Sequence, residues 1–126
     1  MTDKDIEQEI QDKGLTAPRI TPDDIEANIV AEHYFTAADG RNGALAAETY
    51  VGREKPKAGD ADLMPLKLLT FCVLVLRNGF TVTGESACAS PENFNAEIGN
   101  KIARTNAVNK VWPLMGYALR NKLAGV

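Results

Sequence analysis

From Leu66 to Leu76 the chain reads Leu-Lys-Leu-Leu-Thr-Phe-Cys-Val-Leu-Val-Leu, a run rich in strand-favouring side chains and too short to span a bilayer. Arg77-Asn78-Gly79 follows, then Phe80-Thr81-Val82-Thr83. Asn-Gly between two such runs predicts a hairpin with a two-residue turn. That turn sets a register. Arg77 faces Phe80, Val75 faces Val82, Val73 faces Gly84 and Phe71 faces Ser86 on one side, while Leu76, Leu74 and Cys72 meet Thr81, Thr83 and Glu85 on the other. The first strand is apolar on both faces and wants cover on both; its partner, polar on one face, suits an edge.

Helical signals flank the hairpin. Thr2 and Asp5 form a reciprocal capping pattern ahead of Ile6 and Ile10, and Gly14 stops this first helix. Thr21, Pro22, Asp23 and Asp24 start a second, with Ile20 stapling onto Ile25; the one-turn spacing of Ile25 and Ile29 predicts a helix from about Pro22 to His33. Asp39-Gly40 and Asn42-Gly43 read as turns, residues 44 to 51 as either helix or strand, and residues 52 to 62 as a mobile solvated loop.

Ser90-Pro91 predicts the cap and first turn of a long C-terminal helix. Phe94, Ile98, Ile102, Val108 and Trp112 project to one side of it, and Ala96, Gly99, Ala103 and Ala107 roughly opposite. The large residues are expected to pack on the hairpin. The small strip suits close approach of another helix, either from the N-terminal pair or, preferred, from a second subunit. Pro113 is expected to kink or restart the helix, after which Leu114, Tyr117, Ala118 and Leu119 continue it to Gly125. The fold class is α+β: an antiparallel hairpin or small sheet, a long kinked C-terminal helix and two N-terminal helices, as one domain over residues 1–126.

Composition narrows the picture. At 126 residues, 44% hydrophobic and 25% charged, the chain is too apolar for disorder and holds no run long enough for a membrane span. The first ten residues are acidic and resemble no secretory signal, so a cytoplasmic location is expected. The net charge of −3 argues against bulk nucleic-acid binding. Its distribution is uneven: residues 1 to 62 carry 7 basic and 14 acidic side chains, whereas residues 92 to 126 carry 5 and 2. An anionic ligand therefore belongs with the C-terminal third.

Catalytic chemistry finds little support. His33 is the single histidine, Cys72 and Cys88 read as buried thiols, and neither zinc spacing nor a phosphate loop is present. No metal or cofactor is expected. A Cys88–His33 pair and the Gly84-Glu85-Ser86 triplet are the weakest candidates, because nothing places a base beside either nucleophile. A binding reading has more material. Gly84, Glu85, Ser86, Ser90 and Asn93 run from a strand into a helix start, where free N–H groups and the dipole favour anions. Asn93, Glu97, Asn100 and Arg104 form a polar stripe on the helix, with Lys101 nearby. The plain alternatives are a capped helix after a bulged strand and a solvated helix face.

The residues from Leu69 to Phe94, with Glu97-Ile98-Gly99, Lys101-Ile102-Ala103-Arg104, Asn106-Ala107 and Lys110-Val111-Trp112-Pro113-Leu114, resemble a known group. Ala17-Pro18-Arg19-Ile20-Thr21-Pro22 and Tyr34-Phe35-Thr36 extend the likeness. The group is that of short phage and prophage proteins of the phage N-four gp-forty-nine and phage Sf-six gene-sixty-six type. The resemblance implies a virus-encoded protein acting inside a bacterium, in the host cytoplasm. It carries no settled activity and assigns no catalytic residue.

Together these readings predict a non-catalytic binding protein that forms a homo-oligomer. Its predicted site is a pocket of Gly84, Glu85, Ser86, Ser90, Asn93, Glu97, Lys101 and Arg104 at a subunit interface. There it would hold an anionic nucleotide-type ligand, as a counter-defence protein sequestering a host signal. The alternative is an interaction module that inhibits or redirects a host enzyme through the acidic N-terminal half.

Overall fold

A computed structural model describes residues 2–50 and 63–126; the stretch expected to be a mobile loop lies outside the described residues. Helix α1, Asp3–Asp12, opens on the Thr2 and Asp5 capping box, and α2, Pro22–Asn28, on that of Thr21 and Asp24. Gly14 takes a left-handed conformation just past α1, as a stop signal should.

The second helix is shorter than its spacing predicts. Ile29 is already extended, and Ile29–Thr36 forms strand β1. The segment Ile-Val-Ala-Glu-His-Tyr-Phe-Thr is dominated by β-branched and aromatic residues, and pairing with β2, Leu69–Leu76, gives it a ladder that the spacing of two isoleucines could not reveal. Asp39-Gly40 and Asn42-Gly43 are not turns either. Thr36 accepts from the Asp39 amide at 3.1 Å and donates its own amide to Asp39 Oδ2 at 2.9 Å, a third capping box that starts α3, Ala37–Ala47. A short helix α4, Leu63–Leu66, then leads into β2.

Strand β3, Thr81–Ala87, completes an antiparallel sheet of order β1-β2-β3, with the doubly apolar strand in the centre and β3 at an edge as expected. Its register differs by one residue from the two-residue turn. Leu74 pairs with Val82, Cys72 with Gly84 and Phe71 with Glu85. The loop has three residues. Leu76 N–H donates to Phe80 O at 2.8 Å, Gly79 sits at φ +87°, and the Arg77 amide leaves the hairpin to donate to Asn28 O at 2.9 Å. The end of α2 thus draws Arg77 out of the ladder, and a left-handed glycine closes the longer loop. Because a slip of one residue exchanges the faces of a strand, Gly84 joins the side that carries Cys72 and Leu74.

Ser90 makes no side-chain cap, and Pro91–Asn93 is only a single 3-10 turn. Asn95 is the cap instead, accepting from Ile98 N–H at 3.0 Å, and α5 runs unbroken from Ala96 to Ala124 straight through Pro113, so the expected restart does not occur.

The orientation of α5 reverses the expectation over its first half, while further on Val108 and Trp112 of the large set are partly buried against the core. Gly99, Ala103, Ala107 and Val111 are its buried residues, lying against Cys72, Leu74, Leu76 and Val82, whereas Ile98 and Ile102 are 57% and 46% exposed. The bare strip meets the protein's own sheet, not a second subunit. The physical reason is Gly84: a Cβ there would overlap the Ala103 carbonyl and the Ala107 amide, so the helix backbone rests on the strand. Gly99 behaves alike, since a Cβ would stand 3.1 Å from Thr70 Oγ1. The fully buried Leu74 and Val111 each contribute about 2 kcal/mol of apolar burial to this contact.

Candidate functional site

The residues expected to form one anion pocket are dispersed. Gly84 is sealed beneath α5. Glu85 belongs to a rim of local contacts: its carbonyl accepts from Asn106 Nδ2 at 2.7 Å, Thr83 donates to its carboxylate at 3.3 Å, and Lys110 Nζ stands 3.8 Å away. Glu97 and Lys101 pair with each other at 3.4 Å on an exposed turn, a contact that contributes little. The carbonyl of Ser90 accepts the Cys88 thiol at 3.2 Å.

Arg104 faces acids from the far end of the chain. Its Nε lies 3.0 Å from Glu32 Oε1, and its Nη2 lies 2.8 Å from Glu26 and 3.2 Å from the second oxygen of Glu32. Tyr34 donates to Glu32 at 2.6 Å. The guanidinium hydrogen bond holds the Glu32 carboxyl below its usual range, and the same pairing, with that to Glu26, raises Arg104 further above its own. Burial, then the Glu32 hydrogen bond, pushes the Tyr34 phenol up; burial does the same to the Cys72 thiol. These groups form a clamp between α5, α2 and β1 in which one guanidinium is shared by two carboxylates. With two carboxylates on it, Arg104 has little left to offer an anion.

Ser86 and Asn93 do meet, with Asn95, at a hollow of about 200 Å³. Its walls are Leu68, Cys88, Phe94, Ile98 and Ile102, so the junction expected to attract charge is mainly apolar. Leu68 and Phe94 also line a neighbouring groove of about 460 Å³ with Met64, Pro65 and Pro91. The two hollows share these two walls; Lys67 also lines the groove, and Met64 there is 61% exposed. The exposed side of α5 carried its signal in the sequence, in the Phe94, Ile98 and Ile102 spacing; only the assumption that large residues face inward hid it.

A cavity of about 530 Å³ lies elsewhere. Arg19, Arg77 and Lys122, with Asp24, surround a floor of Ile20, Ala27, Met115 and Leu119. Arg77 donates to Ala27 O at 2.9 Å, and Arg19 grips Glu7 bidentately, with one contact at 2.7 Å, which raises the arginine and lowers the glutamate. No sequence spacing pointed here, because its cations come from three separate elements. The Cys88–His33 pair, a weak candidate from the start, is not formed: His33 lies level with Thr83 across the sheet, and Cys88 follows the end of β3. Among the described residues no cluster could hold a metal ion, and no helix is long and apolar enough to cross a membrane.

Fold and surface together define a small α+β protein in which one helix backs a three-stranded antiparallel sheet and the open hollows are apolar or rimmed by anchored cations. The chain belongs to the Phage protein (N4 Gp49/phage Sf6 gene 66) family, whose model matches residues 20–123. No curated protein and no solved structure matches it.

Proposed function

We propose that this is a non-catalytic, phage-encoded binding protein that engages a host protein inside the infected bacterium. The supporting observation is a pair of mainly apolar hollows, a channel at the start of α5 lined by Ile98 and Ile102 and a groove beside α4 lined by Met64 and Lys67, which share Leu68 and Phe94. Such hollows accept apolar side chains of an amphipathic segment, with Lys67 at the edge for a polar or acidic one. The working surface is then the start of α5 and its approach, not the acidic N-terminal half. In the test, immobilised protein captures partners from bacterial lysate, alongside the Ile98→Glu, Ile102→Glu variant. A stoichiometric protein retained by the parent and lost by the variant supports the reading; equal capture by both removes it.

A second reading, sequestration of an anionic nucleotide-type host signal in a counter-defence role, draws on the Arg19, Arg77 and Lys122 cavity. Cations over an apolar floor suit a ligand with a phosphate and a ring. Isothermal titration with cyclic and linear nucleotides should give heat that disappears in Arg77→Glu and Lys122→Glu. Absence of heat across the panel rules this reading out.

A further inference from the structure

We propose that two copies of this chain dimerise face to face through the side of the sheet that α5 leaves open. Central strand β2 is apolar on both sides, and α5 covers only the side of Cys72, Leu74 and Leu76. The other side presents Phe71, Val73 and Val75, all half-buried, with Phe35 on β1 39% exposed and its ring 5.8 Å from that of Phe71. A strand of this composition is ordinarily covered on both faces. Among the described residues, α3 reaches this region with Gly40 beside the Phe35 ring. Thr81 and Thr83 on β3 add exposed β-branched side chains, and no lysine or arginine stands among the paired residues of this face.

A second copy is the occupant that the polar groups of the face favour. The face carries one histidine, His33 on β1, and one carboxylate, Glu85 on β3, at opposite edges; Lys110 Nζ of α5 stands 3.8 Å from that carboxylate, whose side chain stays 43% exposed. His33, Val73 and Thr83 are level across the sheet, and Glu85 is the next residue of β3 on the same side. A two-fold axis running along β2 lays β1 of one copy over β3 of the other. His33 of each copy then meets Thr83 and Glu85 of its partner, twice by symmetry. Such a face is self-complementary, as an isologous contact requires. A foreign partner has no need of that arrangement. At about 4.8 Å between strands and about 3.3 Å per residue, three strands offer a footprint below the usual size of stable interfaces, so a dimer that dissociates on dilution is expected.

The inference stands apart from the channel at α5, and the experiment separates the two. Sedimentation velocity on the full chain over a hundredfold concentration range should give twice the monomer mass at the upper end. Thr83→Arg lies at an exposed edge-strand position and should fold normally by circular dichroism, yet remain monomeric throughout. His33→Glu should weaken association at least tenfold by facing Glu85, and adding Glu85→Lys in the same chain should restore it. The Ile98→Glu, Ile102→Glu variant should dimerise like the parent. A parent that stays monomeric at every concentration overturns the proposal. So does a dimer that survives Thr83→Arg, or one abolished by the α5 variant alone.

Discussion

Replacing Gly84 with alanine adds one methyl group at the tightest of the described glycine contacts. In an ordinary strand interior the change is favourable by about 0.5–1 kcal/mol, because glycine loses more backbone freedom on folding. Here the new Cβ overlaps the Ala103 carbonyl and the Ala107 amide and comes within 2.8 Å of Ala107 Cα. These are backbone atoms of a 29-residue helix, and no rotamer change relieves them. The helix must lift from the sheet, opening the contact of Leu74 and Val111. Overpacking of a core costs about 1–3 kcal/mol, and a backbone clash belongs at the upper end, so Gly84→Ala should lose about 3 kcal/mol. With an unfolding entropy near 2.1 cal/mol/K per residue, a chain of this length then melts roughly 10 °C lower. Gly116, on the same helix with no heavy atom of another described element within 4 Å of where a Cβ would stand, supplies the control: Gly116→Ala should gain about 0.5–1 kcal/mol. Urea unfolding followed by circular dichroism and by the single tryptophan, Trp112, reads both. A Gly84→Ala protein as stable as the parent refutes the close-contact account of how α5 is seated.

Arg104→Met should cost about 1 kcal/mol at neutral pH, Arg104 and Glu32 being about a third exposed and Glu26 more than half, and its effect should depend on pH. Because Glu32 is held below its ordinary value of 4.5, its contribution is present above that pH and is lost as pH falls through the lowered folded value, so parent and variant should converge in acid unfolding; a gap that widens in acid contradicts the clamp. Thr36→Ala removes the cap of α3 and should destabilise by about 1 kcal/mol in urea, while an unchanged midpoint would show that the α3 capping box contributes nothing. Pro113→Ala restores a helix amide at an exposed position and should raise the midpoint by about 1 kcal/mol or more; a loss would mean that the proline fits a bend the fold needs.

The chain by itself determined what depends on neighbours a few residues apart. The capping boxes at Thr2 and Thr21, the glycine stop at Gly14, the hairpin at Asn78-Gly79 and the central place of the doubly apolar strand all follow from local backbone chemistry and alternation. The two faces of α5 were equally legible. Which face turned inward was not, because that depends on Gly84, a residue outside the helix, letting its backbone settle on the sheet. The same limit hid β1, whose ladder is supplied by a strand some forty residues later, and the one-residue slip of the hairpin, which follows from Arg77 bonding to Asn28. The candidate site suffered most. Arg104 is held by Glu26 and Glu32, 78 and 72 residues away, so a cation that looked available in the linear chain is already engaged in the folded one. Local order is written in short-range sterics and hydrogen bonds, whereas the partner of a charge and the inward side of a helix are settled only when distant segments compete for the same space.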